Sequence, residues 1–181
     1  VAFTGGTDTA DRIRRHPRVM AVNPRLNIEA DSLNASLLVP DADDPTYDCF
    51  IRDLHREMTQ KAGQKCTATR RALVPEDMID EVIEDVGERL QRTRVGDPAA
   101  EGVRMGPLSS ASQLASAKEG IAALRAEADV VWGEPDGGPL TGVEAGTGYF
   151  QTPLLLKARD GNSAQVVHDL EVFGPVATLI P

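Results

Sequence analysis

The sequence predicts an α/β domain, a mainly parallel sheet flanked by helices. Three observations carry this reading. Short apolar runs such as Leu154–Leu156 and Ala177–Ile180 are continuous, not alternating, which is the pattern of strands buried on both faces. Amphipathic stretches of helical period stand between such runs. Apolar residues make up 41% of the 181 positions and aromatics only 4%, so the core must be built from Leu, Val, Ile and Ala.

In chain order, residues 1–4 read as a strand running into the Gly5-Gly6 turn, and Asp8–Arg15 as a short helix. Leu26–Glu29 and Leu37–Val39 are apolar runs expected as strands. Between Asp48 and Ala62, the residues Phe50, Ile51, Leu54, Met58 and Ala62 share one helical face. Gly63 is expected to stop that helix in the left-handed conformation. Ala72–Val74 reads as a strand. Pro75 suits a first helical position, with Glu76 and Asp77 at the positive helix end. Met78, Ile79, Val82, Ile83, Val86 and Leu90 continue the stripe of that helix. Ser109 or Ser110 caps a third helix, whose stripe is Leu114, Ala117, Ile121 and Leu124. Val130–Trp132 is a strand, and residues 133–148, rich in Gly and Pro, form a loop. The chain opens in a strand without an initiator Met and stops in an apolar strand. It is therefore expected to be an excerpt of a longer polypeptide, with strand 1–4 deprived of its sheet neighbours.

The formal net charge of -9 argues against nucleic acid or an anionic membrane as the main partner. No apolar run has the ~18 residues needed to span a bilayer, and no signal peptide is visible. Two cysteines make no disulfide framework, so reduced thiols and a cytoplasmic location are expected.

Of these cysteines, Cys66 sits in "GQKCTATRR" among Lys65, Thr67, Thr69, Arg70 and Arg71. Polar and basic neighbours suit a reactive thiol, although a cysteine between a helix and a strand is more often a small core residue. Cys49, off its helix's apolar stripe and beside Asp48, is not expected to react. His16, His55 and His168 read as surface or structural residues. A Cys-His hydrolase or acyl transferase would need one of them as its base. No Cys/His spacing suits zinc, so no metal is expected. Glu29, ending an apolar run, is either a solvated turn residue or a general base. Glu171 precedes Phe173-Gly174-Pro175, a tight turn. Gly5 and Gly6 would let the backbone approach a ligand closely. The "GTG" at 146–148 lacks the strand–helix context of a dinucleotide fingerprint.

Taken in order, "FTGG", Glu29, "GQKC" and "EVFGP" resemble the aldehyde dehydrogenase superfamily. There a strand ending Phe-Thr-Gly-Ser closes the cofactor domain and a glutamate ends the next strand. The nucleophile stands in Gly-Gln-x-Cys, and Glu-x-Phe-Gly-Pro follows about a hundred residues later. "VGDP" and "GPL" also fall at the family's places. The separations Glu29 to Cys66 and Cys66 to Glu171 run slightly long. Gly6 replaces the usual serine, Ala10 a usual glycine, and "EADSLN" the usual Glu-Leu-Gly-Gly-Lys. The last of these, with "REMTQKAGQKCTATRR" and "FGPVATLIP", resembles one subgroup, the aldehyde dehydrogenase half of the bifunctional ring-opening protein of bacterial phenylacetate degradation. The semialdehyde dehydrogenase of the aerobic benzoyl-CoA pathway shares much of this wording.

The resemblance implies an aldehyde dehydrogenase catalytic domain over residues 31–181, truncated at both ends. Residues 1–30 would be the C-terminal piece of a nucleotide-binding domain. It implies Cys66 as nucleophile and Glu29 as general base. Gly5 and Gly6 would line the cofactor passage, and Glu171 and Phe173 would bind the nicotinamide end of NADP or NAD. The substrate would be an aldehyde, a semialdehyde carried on coenzyme A, and the parent enzyme a homo-oligomer. Most of the dinucleotide site lies outside this chain, so the excerpt alone is expected to be inactive.

Overall fold

The computed structural model describes residues 1–144 and 146–181; Ala145, within the loop expected over 133–148, lies outside the described residues. The chain divides into two units, Val1–Ser32 and Leu33–Pro181.

In the first unit, β1 (Ala2–Gly5) pairs in parallel with β2 (Asn27–Ala30), across α1 (Thr7–Arg14) and α2 (Pro17–Val22). The strand expected to lack neighbours therefore has one. Helix α2 was not foreseen. Pro17 starts it, the His16 ring accepts from the Arg18 N–H, and Asn23 ends it at φ 47°. Gly6 stands at the N-cap of α1 with no side chain to cap it. Asp31 from beyond β2 takes over, accepting the Thr7 N–H at 3.2 Å.

The second unit is built on a five-stranded sheet. Its order is β3 (Asn34–Leu37), β4 (Thr69–Leu73), β9 (Val176–Ile180), β8 (Leu154–Ala158), β7 (Ala128–Trp132). All neighbours are parallel except β7 and β8. The central strands alternate between two apolar layers. Leu155, Ala177 and Leu179 join Ala72 and Val74 against α3 (Asp44–Thr59) and α4 (Ile79–Gln91), through Ile51, Leu54, Met58, Val82, Val86 and Leu90. Leu154, Leu156, Val176 and Ile180 meet Ala117, Ile121 and Leu124 of α5 (Ala111–Leu124) and Val167 of α6 (Gln165–Asp169). Burial on both faces is why these strands read as unbroken apolar runs.

Several boundaries moved for local reasons. Helix α3 starts at Asp44, because Asp43 accepts the Thr46 N–H and Pro45 occupies the first turn. It stops at Thr59, before Gly63. Residues Gln60–Gly63 form a tight turn in which Lys61, Ala62 and Gly63 all have positive φ. Ala62, expected on the helical stripe, is buried from this turn. Helix α4 starts at Ile79, after a 3-10 turn over Glu76–Met78. Ser110, not Ser109, caps α5, accepting from the Gln113 N–H at 3.2 Å. A short parallel pair, β5 (Arg94–Val95) with β6 (Val103–Met105), and helix α6 were not foreseen. They are too short to show a period.

Candidate active site

In the first unit, the β1–β2 register places Glu29 opposite Thr4 and Ala30 opposite Gly5. Glu29 thus ends its strand beside the Gly5-Gly6 turn, with its side chain exposed. Gly5 has little room: a Cβ would fall 2.7 Å from the Phe3 ring.

The other expected site residues belong to two loops of the second unit. One runs from the turn at Gln60–Gly63 to the start of β4 and carries Cys66. The other joins α6 to β9 and carries Glu171, Phe173 and Gly174. The two meet at Gly63. A Cβ there would lie 2.2 Å from the Gly174 carbonyl oxygen and 2.8 Å from Pro175 Cα, and φ is +69°. The approach of the two backbones, as much as the turn, demands glycine at this position.

Arg70 locks the junction. Its side chain is only 4% exposed. Nη1 donates to the Gly174 carbonyl at 2.7 Å, and Nη2 donates to the Gly63 carbonyl at 2.7 Å and the Lys65 carbonyl at 3.4 Å. Nη2 also lies 3.9 Å from a carboxylate oxygen of Glu171, and the guanidinium carbon sits 5.7 Å from the centre of the Phe173 ring. Desolvation lowers the Arg70 pKa from its usual value, while Glu171 and then Glu57 oppose that shift.

Cys66 itself is exposed. Asn34 Nδ2 donates to its carbonyl at 2.6 Å and to the Ala68 carbonyl at 3.1 Å. Among the described residues nothing accepts from the Cys66 N–H. Gln64 ties the loop to the start of α5, accepting from the Ser109 N–H and bonding Gln113. The basic neighbours expected around the thiol have partners elsewhere. Lys65 meets Glu57 at 2.8 Å and Gln60 at 3.0 Å, Arg70 turns inward, and Arg71 donates to the Leu33 carbonyl and reaches His168. Local sequence adjacency said nothing of these longer-range acceptors.

No histidine hydrogen-bonds the thiol. His55 Nε2 meets Thr93 Oγ1 at 2.8 Å, His168 Nε2 meets the Gly161 carbonyl, and His16 is the α2 cap. A Cys-His pair is therefore not what this geometry offers. Among the described residues there is no group of three or more metal-ligating side chains, and no helix is long and apolar enough to cross a membrane.

Sequence reading missed Asn34 and the inward role of Arg70. Both stand inside the quoted motifs, but the carbonyls that Asn34 holds and the Gly174 carbonyl that Arg70 holds lie far along the chain.

The aldehyde dehydrogenase family model matches residues 1–181. The chain belongs to that family. It is 48% identical over 184 residues to the 3,4-dehydroadipyl-CoA semialdehyde dehydrogenase of Aromatoleum evansii, covering all of this chain and 36% of that protein. The fold matches HpcC of Thermus thermophilus with a TM-score of 0.85 at 25% identity, over 99% of this chain and 34% of that one. It matches a 3,6-anhydro-L-galactose dehydrogenase solved with NADP with a TM-score of 0.81 at 27% identity, over 99% and 36%. The chain thus spans about a third of the length of the aldehyde dehydrogenases it matches.

Proposed function

We propose that this chain is the cysteine-bearing part of an NAD(P)-dependent aldehyde dehydrogenase acting on a semialdehyde carried on coenzyme A. The observation that carries the reading is the state of Cys66: an exposed residue on a backbone held by Asn34, its N–H without an acceptor among the described residues. The name of the 48% identical relative supports the substrate class. Phenylacetate degradation is the context proposed for it. The benzoyl-CoA pathway is the second reading, since the same relative acts on a CoA-linked semialdehyde.

Cys66, as thiolate, adds to the aldehyde carbon, and the carbonyl electron pair moves to oxygen. The Cys66 N–H is a donor available to that oxyanion. The residues of the second loop suit a nicotinamide dinucleotide: the Glu171 carboxylate can accept from ribose hydroxyls, and the Phe173 ring is exposed and backed by a cation. The bound dinucleotide supplies the hydride acceptor. Once the carbonyl has re-formed as a thioester on Cys66, water adds to it. Glu29 takes the proton of that water, the carbon–sulfur bond breaks, and the thiolate and a carboxylic acid are released. Gly5 and Gly6 line the cofactor passage; the Phe3 ring covers Gly5, whereas a Cβ at Gly6 would meet only an Asp31 carboxylate oxygen at 3.7 Å. Residues 1–30 serve as the last piece of the nucleotide-binding domain and 31–181 as the catalytic domain, within a cytoplasmic homo-oligomer. The pyrophosphate and adenosine parts of the site belong to the remainder of the enzyme, so these residues alone should not turn over substrate.

Acid-quench mass spectrometry tests this. The full-length Glu29→Gln variant, given the semialdehyde and NADP or NAD, should accumulate an acyl adduct on the Cys66 peptide. An adduct on another residue, or none while product forms, would sink the reading.

A further inference from the structure

The Cys66 loop and the Glu171–Gly174 loop are far apart in sequence, yet one buried cation holds both. Arg70 leaves β4 and points back beneath the loop that precedes it. Its two terminal nitrogens divide their work. One donates to Gly174, the other to Gly63 and Lys65. Three carbonyls therefore converge on one guanidinium, and the Glu171 carboxylate and the Phe173 ring complete its surroundings. Charge-assisted bonds of this kind are short and directional, and a planar fork can bridge two backbones where a point ammonium cannot.

Pairing of β4 with β9 joins the strands that follow the two loops, beginning at Arg71 and Thr178, but the loops themselves lie before that ladder. Asn34 and Gln64 grip only the Cys66 side, from β3 and from the start of α5. The contact at Gly63 and Gly174 is steric and fixes a minimum distance. Arg70 supplies the attraction across that contact.

Resting on the functional reading above, we propose that Arg70 is a positioning residue for the dehydrogenase reaction. It sets the thiol loop and the nicotinamide-side loop in one register, so that a change on either loop is felt by the other. Arg70 touches neither substrate nor cofactor in this assignment. Its effect passes through the Gly63 and Lys65 carbonyls on one side and through Gly174, Glu171 and Phe173 on the other.

The test uses full-length enzyme and two readouts. The first is the rate of Cys66 alkylation by iodoacetamide without coenzyme. The second is KM for NADP and NAD, taken apart from kcat. Arg70→Lys should change both together, each by roughly tenfold, because one ammonium cannot satisfy carbonyls on both loops. Leu155→Ala, a core variant, serves as control for a general loss of stability and should move neither readout comparably. If Arg70→Lys does not fold, Glu171→Gln carries the test. That change lies on the other loop, yet it should alter Cys66 alkylation in coenzyme-free enzyme severalfold. A change in thermal midpoint alone in Arg70→Lys, or a Cys66 alkylation rate indifferent to Glu171→Gln, overturns the proposal. Failure of the underlying reading looks different: Cys66→Ala would then retain turnover, whatever Arg70 does.

Discussion

Cys49 and Cys66 are both free, and the protein grips opposite ends of them. Cys49 lies on α3, its backbone inside the helix. Its sulfur is met by Arg52 Nη2 at 2.7 Å and lies 4.0 Å from an Asp53 carboxylate oxygen. Cys66 lies on a loop whose carbonyls are held by Asn34 and Arg70, and the residue is exposed, with no hydrogen bond to its sulfur among the described residues. The guanidinium expected beside the nucleophile is found on the other cysteine. For a nucleophile that must reach a carbon at one fixed geometry, a held backbone and an open sulfur matter more than basic residues adjacent in sequence.

The largest effect should come from exchanging the thiols for methyl groups. In full-length enzyme, Cys66→Ala should lower aldehyde oxidation by roughly a thousandfold or more, as for removal of other covalent nucleophiles. Cys49→Ala should keep most of the rate. Steady-state reduction of NADP or NAD decides, and comparable loss in both variants would erase the contrast between the two cysteines.

Next comes the backbone grip itself. Gly63→Ala places a methyl group 2.2 Å from the Gly174 oxygen at a φ of +69°. The two loops must then separate, at a cost of about 3 kcal/mol or more. Urea denaturation should show that loss together with slower Cys66 alkylation. Unchanged stability would mean the loops do not press on one another here.

Asn34→Ala is gentler. It removes one amide that serves two carbonyls in a partly exposed place, and should cost about 1–2 kcal/mol. The Cys66 alkylation rate should shift while the Cys49 rate stays put. Equal shifts at both thiols would make Asn34 a general stabiliser.

These contrasts also mark where sequence reading stops. The sheet was legible because strands buried on both faces need unbroken apolar runs, as Leu154–Leu156 and Ala177–Ile180 show. The stripes of α3 and α4 were legible because Ile51, Leu54, Met58, Val82, Val86 and Leu90 recur at helical spacing. The loops were legible only as motifs. Whether Arg70 faces the thiol or the interior depends on the carbonyl of Gly174, and no local pattern announces a partner so distant. The same holds for the positive φ of Lys61 and Ala62, residues that ordinarily avoid that conformation; the sequence placed the helix stop at Gly63 alone.

The smallest effect concerns His55, on the same helix as Cys49 and once a candidate base for Cys-His chemistry. Its ring is half-buried and bonded to Thr93, in a cleft it shares with Arg89, Arg92 and Arg104. Desolvation first, and then the Arg89 charge, lower its pKa from 6.5. The folded state therefore binds this proton less readily than the unfolded chain. His55 should cost nothing well above pH 6.5, and stability should fall as the pH drops below the unfolded value and towards the lower folded one. His55→Gln removes the titration and retains a polar partner for Thr93. The difference between urea midpoints at pH 7.5 and pH 5 should shrink in the variant, as judged against the wild-type pair. Aldehyde oxidation at pH 7.5 should stay close to wild type, because this ring braces α3 against Thr93, just past the end of α4, and has no part in the thiol's chemistry. A pH dependence unaltered by the substitution would show that the burial of His55 does not set it, and a large loss of turnover would move His55 from the scaffold to the site.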